Sequence, residues 1–223
     1  TLSGQKSDIK YDSAKNINVY TQPGRDSSVG DNQHWFYYGG SDAEKKKHLL
    51  LRSRTPMHVT DYYSYDSYGN TTASRRLDYR VFTGSTADSA YPYIRTETAY
   101  TSDGNFTAST KDARGNTVTQ VVNTNDGTLT SVTDPAGQTV NYTYDASKRV
   151  TGVTTTGDGK TYKNAYTYEN DRIKTVAHNT TGDAADVTYT FDYDEMGRKT
   201  TVKVGSQTLS TNVYRDDRNG LLS

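Results

Sequence analysis

The clearest alternation of apolar and polar residues lies between Leu129 and Val153. Residues 129–133 are rich in β-branched side chains, and Asp134-Pro135-Ala136-Gly137 has the composition of a turn. The next strand, 139–144, alternates so that three apolar side chains share one face: Val140, Tyr142 and Tyr144. A second turn follows at 145–148. The pattern predicts a β-hairpin that is too small to bury either face, and such a hairpin is stable only beside copies of itself.

Copies of this hairpin recur along the chain, and most end in Tyr-x-Tyr-Asp or a close variant. They are YSYD at 63–66, YTYD at 142–145, YTYE at 166–169, FDYD at 191–194 and a weaker copy at 214–217. Successive acidic residues at 145, 169, 194 and 217 are 24, 25 and 23 residues apart. This period predicts two strands of roughly eight residues and two turns in each repeat, and it is too short for a βαβ unit.

The recurring Tyr, Asp and Gly positions are expected to serve structure, because an active site needs one constellation whereas a stacked sheet needs the same residues in every repeat. Gly supplies the corner with positive φ that a tight turn requires. The structural repeat positions are Tyr65, Asp66, Gly69, Asp112, Gly115, Pro135, Gly137, Tyr142, Tyr144, Asp145, Tyr166, Tyr168, Tyr193, Asp194, Gly197, Arg198 and Gly220.

Three pairs of apolar residues break the strict period of two. Leu129/Val132, Val150/Val153 and Ile173/Val176 are each three residues apart. Either a β-bulge recurs at these points, or the second residue of each pair faces the other side of the sheet. We favour the bulge, because an open sheet needs a repeated source of curvature.

The turn motifs resemble those of the RHS and YD-repeat family. They are YDSYGNTT, KDARGNTV, YDASKRVTGV, YENDRIKTV and YDEMGRKTTV, and they cover the chain from about residue 55 to its end. Lys148 stands in the place of the turn Gly, and the turn between Tyr166 and Ile173 is one residue shorter. The resemblance implies hairpins that spiral into a hollow shell. In relatives, the end of such a shell can carry an Asp-Pro self-cleavage motif. Here the rest of that motif is missing, so a turn is expected at Asp134-Pro135.

Residues 1–54 are less regular, and 55–223 hold the clearer repeats. One degenerate YD unit is expected at 8–17. Ser41-Asp42-Ala43-Glu44 has the form of a helix capping box, which could open a helix to Leu51. We favour a single helical turn to Lys47 and a strand from Leu49 to Arg54. Further strands are expected at 59–66 and 75–82, followed by a loop at 87–93.

Composition narrows the class of protein. The 223 residues carry 26 basic and 26 acidic side chains, so net charge gives no case for binding nucleic acid or an anionic membrane. Mean hydropathy is −0.92, which alone would favour disorder. Because 20 tyrosines bring large apolar area, we expect a folded protein with a thin core. The absence of Cys excludes disulfides and thiol chemistry, and no apolar run has the length of a membrane span.

Candidate chemistry is sparse. The four histidines, at 34, 48, 58 and 178, do not have metal-ligand spacing, and the Asp-rich turns fail the EF-hand register. We therefore expect no enzyme activity, no metal and no cofactor. The one candidate ligand surface is the aromatic cluster at 34–38, with Trp35, Tyr37 and Tyr38, because an exposed aromatic ledge can stack on sugar rings. Packing of this cluster in a core is the favoured alternative.

The sequence thus predicts an all-β fold in which consecutive antiparallel hairpins form one long, twisted, curled sheet, as a single YD-repeat domain over residues 1–223. The chain reads as a piece of a longer array. The expected function is a non-catalytic scaffold or shell segment of a secreted or cell-surface bacterial protein. Alternatives are a carbohydrate- or protein-binding module, and a part of a polymorphic toxin whose effector lies outside this chain. Expected partners are flanking domains of the same polypeptide, glycans or a cell-surface partner, and further copies through exposed sheet edges.

Overall fold

The computed structural model describes residues 7–21, 33–56, 59–77, 93–179 and 185–214. These residues form 17 strands and one short helix. The chain divides into two compact units, Thr1–Thr117 and Val118–Ser223. The prediction of a single domain over 1–223 stays a prediction, and each unit is described by itself.

The described part of the first unit contains eight strands, and each strand pairs antiparallel with the next along the chain. Helix α1, Asp42–Lys45, lies between the third and fourth strands. The strands are β1 (Asp8–Tyr11), β2 (Ile17–Thr21), β3 (Gln33–Tyr37), β4 (Arg52–Arg54), β5 (Thr60–Tyr65), β6 (Thr71–Leu77), β7 (Tyr93–Tyr100) and β8 (Thr107–Lys111).

The second unit continues with the same topology. Each of its strands pairs antiparallel with its successor. The strands are β9 (Thr117–Val122, which begins at the last residue of the first unit), β10 (Leu129–Thr133), β11 (Thr139–Tyr144), β12 (Val150–Gly157), β13 (Lys160–Glu169), β14 (Arg172–Asn179), β15 (Val187–Tyr193), β16 (Lys199–Val204) and β17 (Gln207–Thr211). The predicted all-β class and the order of consecutive antiparallel hairpins are confirmed.

The two faces of the second unit differ in chemistry. Pairing in register places Tyr142 beside Val153 and Val176 between Tyr166 and Tyr189, which defines a valine–tyrosine face. The opposite face carries Thr143, Thr167, Thr175 and Thr190, and we call it the threonine face. In the described residues only Val19 and Leu77, both in the first unit, are buried apolar side chains. Cross-strand pairs within a face, rather than a deep core, therefore stabilise the sheet.

A β-bulge recurs where strands follow a turn, as the spacing of apolar pairs predicts. Tyr144 pairs with Val150 and Thr143 pairs with Gly152, so Thr151 is the extra residue. Because of this extra residue, Val150 and Val153 lie on the same face although they are three apart. The extra residues at equivalent bulges in the described strands are Asn18, Thr72, Ala108, Thr130, Thr151, Lys174 and Thr200.

The irregular first unit follows the sequence prediction in part. The capping box is confirmed: Ser41 Oγ accepts from the Glu44 N–H, and the Glu44 carboxylate accepts from the Ser41 N–H. The predicted strand Leu49–Arg54 is too long, since β4 begins only at Arg52. His48, with φ of 57°, turns the chain at the helix end, and residues 49–51 bring it back beside β3.

Two further boundaries differ from the prediction. Strand β6 begins at Thr71 rather than Arg75, because the turn after Tyr65 closes in five residues and Tyr65 pairs directly with Thr71. Residue 93, predicted in a loop, begins β7. The predicted strand end at 78–82, the loop at 87–92, the Asp217 anchor, Gly220 and His58 lie outside the described residues.

Candidate functional site

The repeated aspartate fixes the turn that follows it. Asp145 Oδ1 accepts the N–H groups of Ser147 at 2.9 Å and Arg149 at 3.0 Å, while the Asp145 N–H donates to the Arg149 carbonyl at 3.0 Å. This is an Asx-type turn closed by its own side chain. In the described residues the same backbone bonds recur after Asp12, Asp66, Asp112, Asp134, Asp145 and Asp194.

The fourth residue of each such turn has positive φ, which explains the recurring Gly. Gly137 has φ of 83° and Gly197 has φ of 78°. Lys148, which replaces Gly, takes the same conformation with φ of 64°, so the turn survives the substitution. The turn after Glu169 is shorter, as predicted. Its two central residues, Asn170 and Asp171, have φ of 50° and 60°, as in a type I′ hairpin.

The residue after the positive-φ corner binds the second carboxylate oxygen of the aspartate. Arg149 Nε donates to Asp145 Oδ2 at 2.7 Å, and Arg198 Nε donates to Asp194 Oδ2 at 2.6 Å. The Arg149 backbone N–H and guanidinium lower the pKa of Asp145. Partial desolvation raises the pKa of Asp194, but its Arg198 donors outweigh this, and its pKa is also below the usual value. These carboxylates are held ionised as turn fixtures, which makes them poor general acids.

Each terminal tyrosine reaches back to the preceding strand. Tyr168 Oη donates to the Val150 carbonyl at 2.7 Å, and Val150 is the residue just before the bulge at Thr151. We call this hydrogen bond the tyrosine latch. Equivalent latches are Tyr144 to Leu129 (2.8 Å), Tyr193 to Ile173 (2.8 Å), Tyr214 to Lys199 (2.9 Å) and Tyr100 to Thr71 (3.2 Å). Tyr65 donates likewise to Leu50, at 2.8 Å. Each latch ties the end of a hairpin back to the start of the first strand of the same hairpin.

Arginine side chains reinforce the same joints. The Arg149 guanidinium, already bound to Asp145, lies 4.5 Å from the centre of the Tyr168 ring. The Arg198 guanidinium lies 4.7 Å from the Tyr214 ring centre. A cation over an aromatic face is attracted by the ring quadrupole. One turn is therefore tied to the terminal tyrosine of the following hairpin.

The threonine face holds a small ionic network around Asp192. Its carboxylate accepts from Lys203 Nζ at 2.8 Å, Thr201 Oγ1 at 2.7 Å and Lys174 Nζ at 3.1 Å. These donors, Lys203 first, hold the pKa of Asp192 well below its usual value. A carboxylate neutralised by two lysines serves to pair strands β14, β15 and β16 rather than to carry out acid–base chemistry.

The aromatic cluster in β3 lines a groove of about 410 Å³ in the first unit. Trp35 and Tyr37 point to the same face, where Trp35 pairs with Arg54 and Tyr37 with Arg52. Trp35 is 49% exposed and Tyr37 is 43% exposed, so the expectation that the cluster packs in a core is wrong for both. The lining residues are Asn18, Trp35, Phe36, Tyr37, Arg52, Arg54, Thr60 and Tyr62. We call this the Trp35 groove.

The Trp35 groove contains buried polar atoms that receive no hydrogen bond from the described residues. Asn18 Oδ1 and Tyr62 Oη are buried and have no hydrogen-bond partner in the described residues. The Arg52 guanidinium lies 5.3 Å from the Tyr37 ring centre. Among the described residues, the lining carries two guanidinium groups and no carboxylate. A buried polar atom without a partner carries a desolvation cost, so a ligand that supplies hydrogen bonds would be favoured here.

Tyr38 does not line the groove, because it follows Tyr37 at the strand end. Burial raises the pKa of its phenol, and the nearby Asp12 carboxylate adds to the shift. Sequence reasoning missed Arg52, Arg54 and Tyr62. They lie on β4 and β5, and only strand pairing brings them to Trp35.

The histidines are placed apart. Within the described residues His48 Nδ1 contacts Asn16 Oδ1, His178 Nδ1 contacts Asn164 Oδ1, and the His34 ring lies 5.9 Å from that of Tyr20. The part of the chain that the structure describes holds no group of three or more His, Asp or Glu side chains arranged to bind a metal ion. Within the same ranges, no helix has the length and apolarity that a membrane crossing requires.

Comparison with known proteins gives a family-model match to one segment of the chain and a likeness of fold to solved structures. The crystal structure of TcdB2-TccC3-TEV matches with 14% identity and a TM-score of 0.53. The match covers 96% of this chain and 12% of that chain. A Tc holotoxin pore from Photorhabdus luminescens that carries a mutated TccC3 matches with 13% identity and a TM-score of 0.41, over 97% of this chain and 13% of that one. This chain therefore spans only a small part of the structures it matches, and the first likeness shows the fold alone. No curated protein sequence matches it. The RHS Repeat family model matches residues 125–161, so this chain contains an RHS repeat, and the resemblance drawn from its YD motifs is confirmed.

Proposed function

We propose that the chain is a non-catalytic structural segment of a larger RHS/YD-repeat protein, where it forms part of a scaffold or shell wall. The observation that carries this proposal is the tyrosine latch, the same bond that closes each successive hairpin from Tyr144 to Tyr214. A surface built from one repeated joint is suited to extension rather than to a single reaction centre.

The two faces support a role as a wall. The valine–tyrosine face is half-buried at most positions, and Tyr189 is 37% exposed, so this face has apolar area left to cover. The threonine face is polar and suited to water. In the proposed role the valine–tyrosine face is turned towards another part of the same polypeptide. The likeness to TcdB2-TccC3 structures supports a toxin-associated parent, which we propose is secreted or displayed at a bacterial surface.

Thiol labelling of the full-length polypeptide tests the wall proposal. Because the chain has no cysteine, Val153→Cys and Thr154→Cys introduce single thiols on neighbouring residues of opposite faces. Both are measured in the isolated chain and in the full-length protein, with peptide mapping to locate the label. We expect labelling at residue 153 to slow in the full-length protein while labelling at residue 154 changes little. Equal rates at both positions in the full-length protein would contradict the proposal.

A binding module is the second candidate function, and the Trp35 groove favours it. The groove presents an exposed indole beside arginines, and two buried polar atoms that have no partner among the residues the structure describes. An aromatic ledge with a few polar groups is typical of saccharide sites. Trp35 is the only tryptophan of the chain, so its fluorescence reports directly on this groove. Saturable quenching or enhancement by oligosaccharides would support this function, and a flat titration would exclude it for the sugars tested.

A further inference from the structure

We propose that the Trp35 groove selects acidic saccharides, in which a carboxylate is carried on a hydroxylated sugar ring. This inference rests on the binding function proposed above and names its ligand class. The occupant follows from three features of the groove: an aromatic platform, the Arg52 guanidinium, and two buried polar atoms, Asn18 Oδ1 and Tyr62 Oη, that have no hydrogen-bond partner in the described residues.

The aromatic platform consists of Trp35 and Tyr37. They lie two residues apart on β3, so their side chains share a face, and both rings are more than two-fifths exposed. The flat, apolar C–H face of a pyranose ring packs on such rings and leaves its hydroxyls at the edge. A neutral or an acidic sugar satisfies this feature equally.

The Arg52 guanidinium distinguishes the two classes. Arg52 lies on β4 as the cross-strand partner of Tyr37. Stacking of Arg52 on Tyr37 orients its planar fork, which limits the side-chain entropy lost when it binds. A guanidinium matches a carboxylate with two parallel N–H donors. Because none of the described lining residues is acidic, an incoming carboxylate meets no repulsion from them.

The groove floor supplies the remaining polar contacts. Asn18 Oδ1 is an acceptor and Tyr62 Oη is both a donor and an acceptor. Sugar hydroxyls can donate to the first and exchange hydrogen bonds with the second. Asn18 is the extra residue of a β-bulge, which accounts for its position beside β3 rather than in the regular pairing of β2.

Strand pairing argues against an extended acidic peptide. Strands β3, β4 and β5 each have a paired neighbour on both sides, so their backbone groups are engaged within the sheet. A peptide strand gains most of its affinity from an open sheet edge. The occupant of this groove must instead be held by side chains, through stacking and charge.

Titration of the intact chain tests the selectivity. Trp35 fluorescence and calorimetry are recorded with tetragalacturonate, with its carboxyl-reduced neutral counterpart, and with a tetraglutamate peptide. We expect tetragalacturonate to bind about tenfold or more tightly than the neutral sugar, as for a lost hydrogen bond to a charged group. Arg52→Gln should remove that preference while leaving neutral binding unchanged. Arg52→Lys, which keeps the charge without the fork, should retain only part of it.

The matched control is Arg114→Gln, which removes an exposed arginine of the Asp112–Asn116 turn outside the groove. It should leave both affinities unchanged, and circular dichroism confirms that each variant is folded. Equal binding of the two sugars would overturn the inference while the saccharide-binding function stands. Binding of neither sugar would overturn both. Tighter binding of tetraglutamate with the same Arg52 dependence, or an equal loss in Arg114→Gln, would also overturn the inference.

Discussion

Replacing Tyr168 with Phe removes one tyrosine latch and little else. The hydroxyl that donates to the Val150 carbonyl at 2.7 Å is lost, while the ring that Arg149 covers at 4.5 Å is kept. A neutral hydrogen bond contributes about 0.5–1.5 kcal/mol net, and a carbonyl left without its donor adds to the loss. We therefore expect Tyr168→Phe to lower the free energy of unfolding by about 1 kcal/mol.

The matched control is Tyr162→Phe, in the same strand β13. Tyr162 is 40% exposed, and its hydroxyl has no hydrogen-bond partner in the described residues. Its removal should change stability by less than about 0.5 kcal/mol. Urea unfolding followed by circular dichroism gives both values. For a chain of this length, about 1 kcal/mol corresponds to a fall in Tm of about 2–4 °C.

The latches are equivalent, so their effects should accumulate. The triple variant of Tyr144, Tyr168 and Tyr193 to Phe should lose about 3 kcal/mol, close to the sum of the single changes. If Tyr168→Phe were no more destabilising than Tyr162→Phe, the latch would contribute nothing measurable to stability. The open end of each hairpin would then have to be held by ring packing and cation–π contact alone.

Three further predictions concern turns and bulges. The Lys148 ammonium, followed by the Thr128 donors, lowers the pKa of Asp126 to about 2. The Asp126 carboxylate therefore stabilises the fold above its unfolded pKa near 3.8, and this stabilisation is lost as pH falls through about 2. Asp126→Asn should be less stable than wild type at pH 7 in urea titrations, and the difference should vanish near pH 2. Gly137→Ala should lower the free energy of unfolding by about 1 kcal/mol in the same assay, because φ is 83° and no atom crowds the new methyl group. Gly137→Asn should lower it less, and equal losses would contradict the explanation by backbone strain. Deleting Thr151 should keep the strand register but turn the Val150 carbonyl away from the Tyr168 hydroxyl. Adding Tyr168→Phe to this deletion should then have no further effect on stability. A full additional loss would show that the bulge does not position the latch.

The repeat and its bulge could be predicted from the sequence because both change the spacing of apolar residues. Apolar residues three apart, such as Val150 and Val153, can share one face of a strand only if an extra residue intervenes. The Asp-x-x-Gly turns were accessible for a similar reason, since the left-handed corner selects Gly. Lys148 shows the limit of this rule, because it adopts the same corner without the residue that signals it.

The latches and the Trp35 groove could not be predicted in the same way. A latch forms where a bulge directs a backbone carbonyl towards the tyrosine. Because the acceptor is a backbone group, any residue type can supply it, and the sequence gives no signal. The groove gathers side chains from β2, β3, β4 and β5, and their proximity follows from strand register. The run Trp35 to Tyr38 suggested one ledge, but β3 ends at Tyr37, and Tyr38 does not line the groove. The length of β4 was overestimated because His48 adopts positive φ without a glycine to mark it.

The latch has a direction, since the donor tyrosine ends each hairpin and the accepting carbonyl lies earlier, in the first strand of that hairpin. A nascent chain that emerges from its amino end thus presents each accepting carbonyl before the tyrosine that donates to it. Assembly can then advance hairpin by hairpin during synthesis or export, without waiting for the distant carboxyl end. The order of translation and the order of docking coincide.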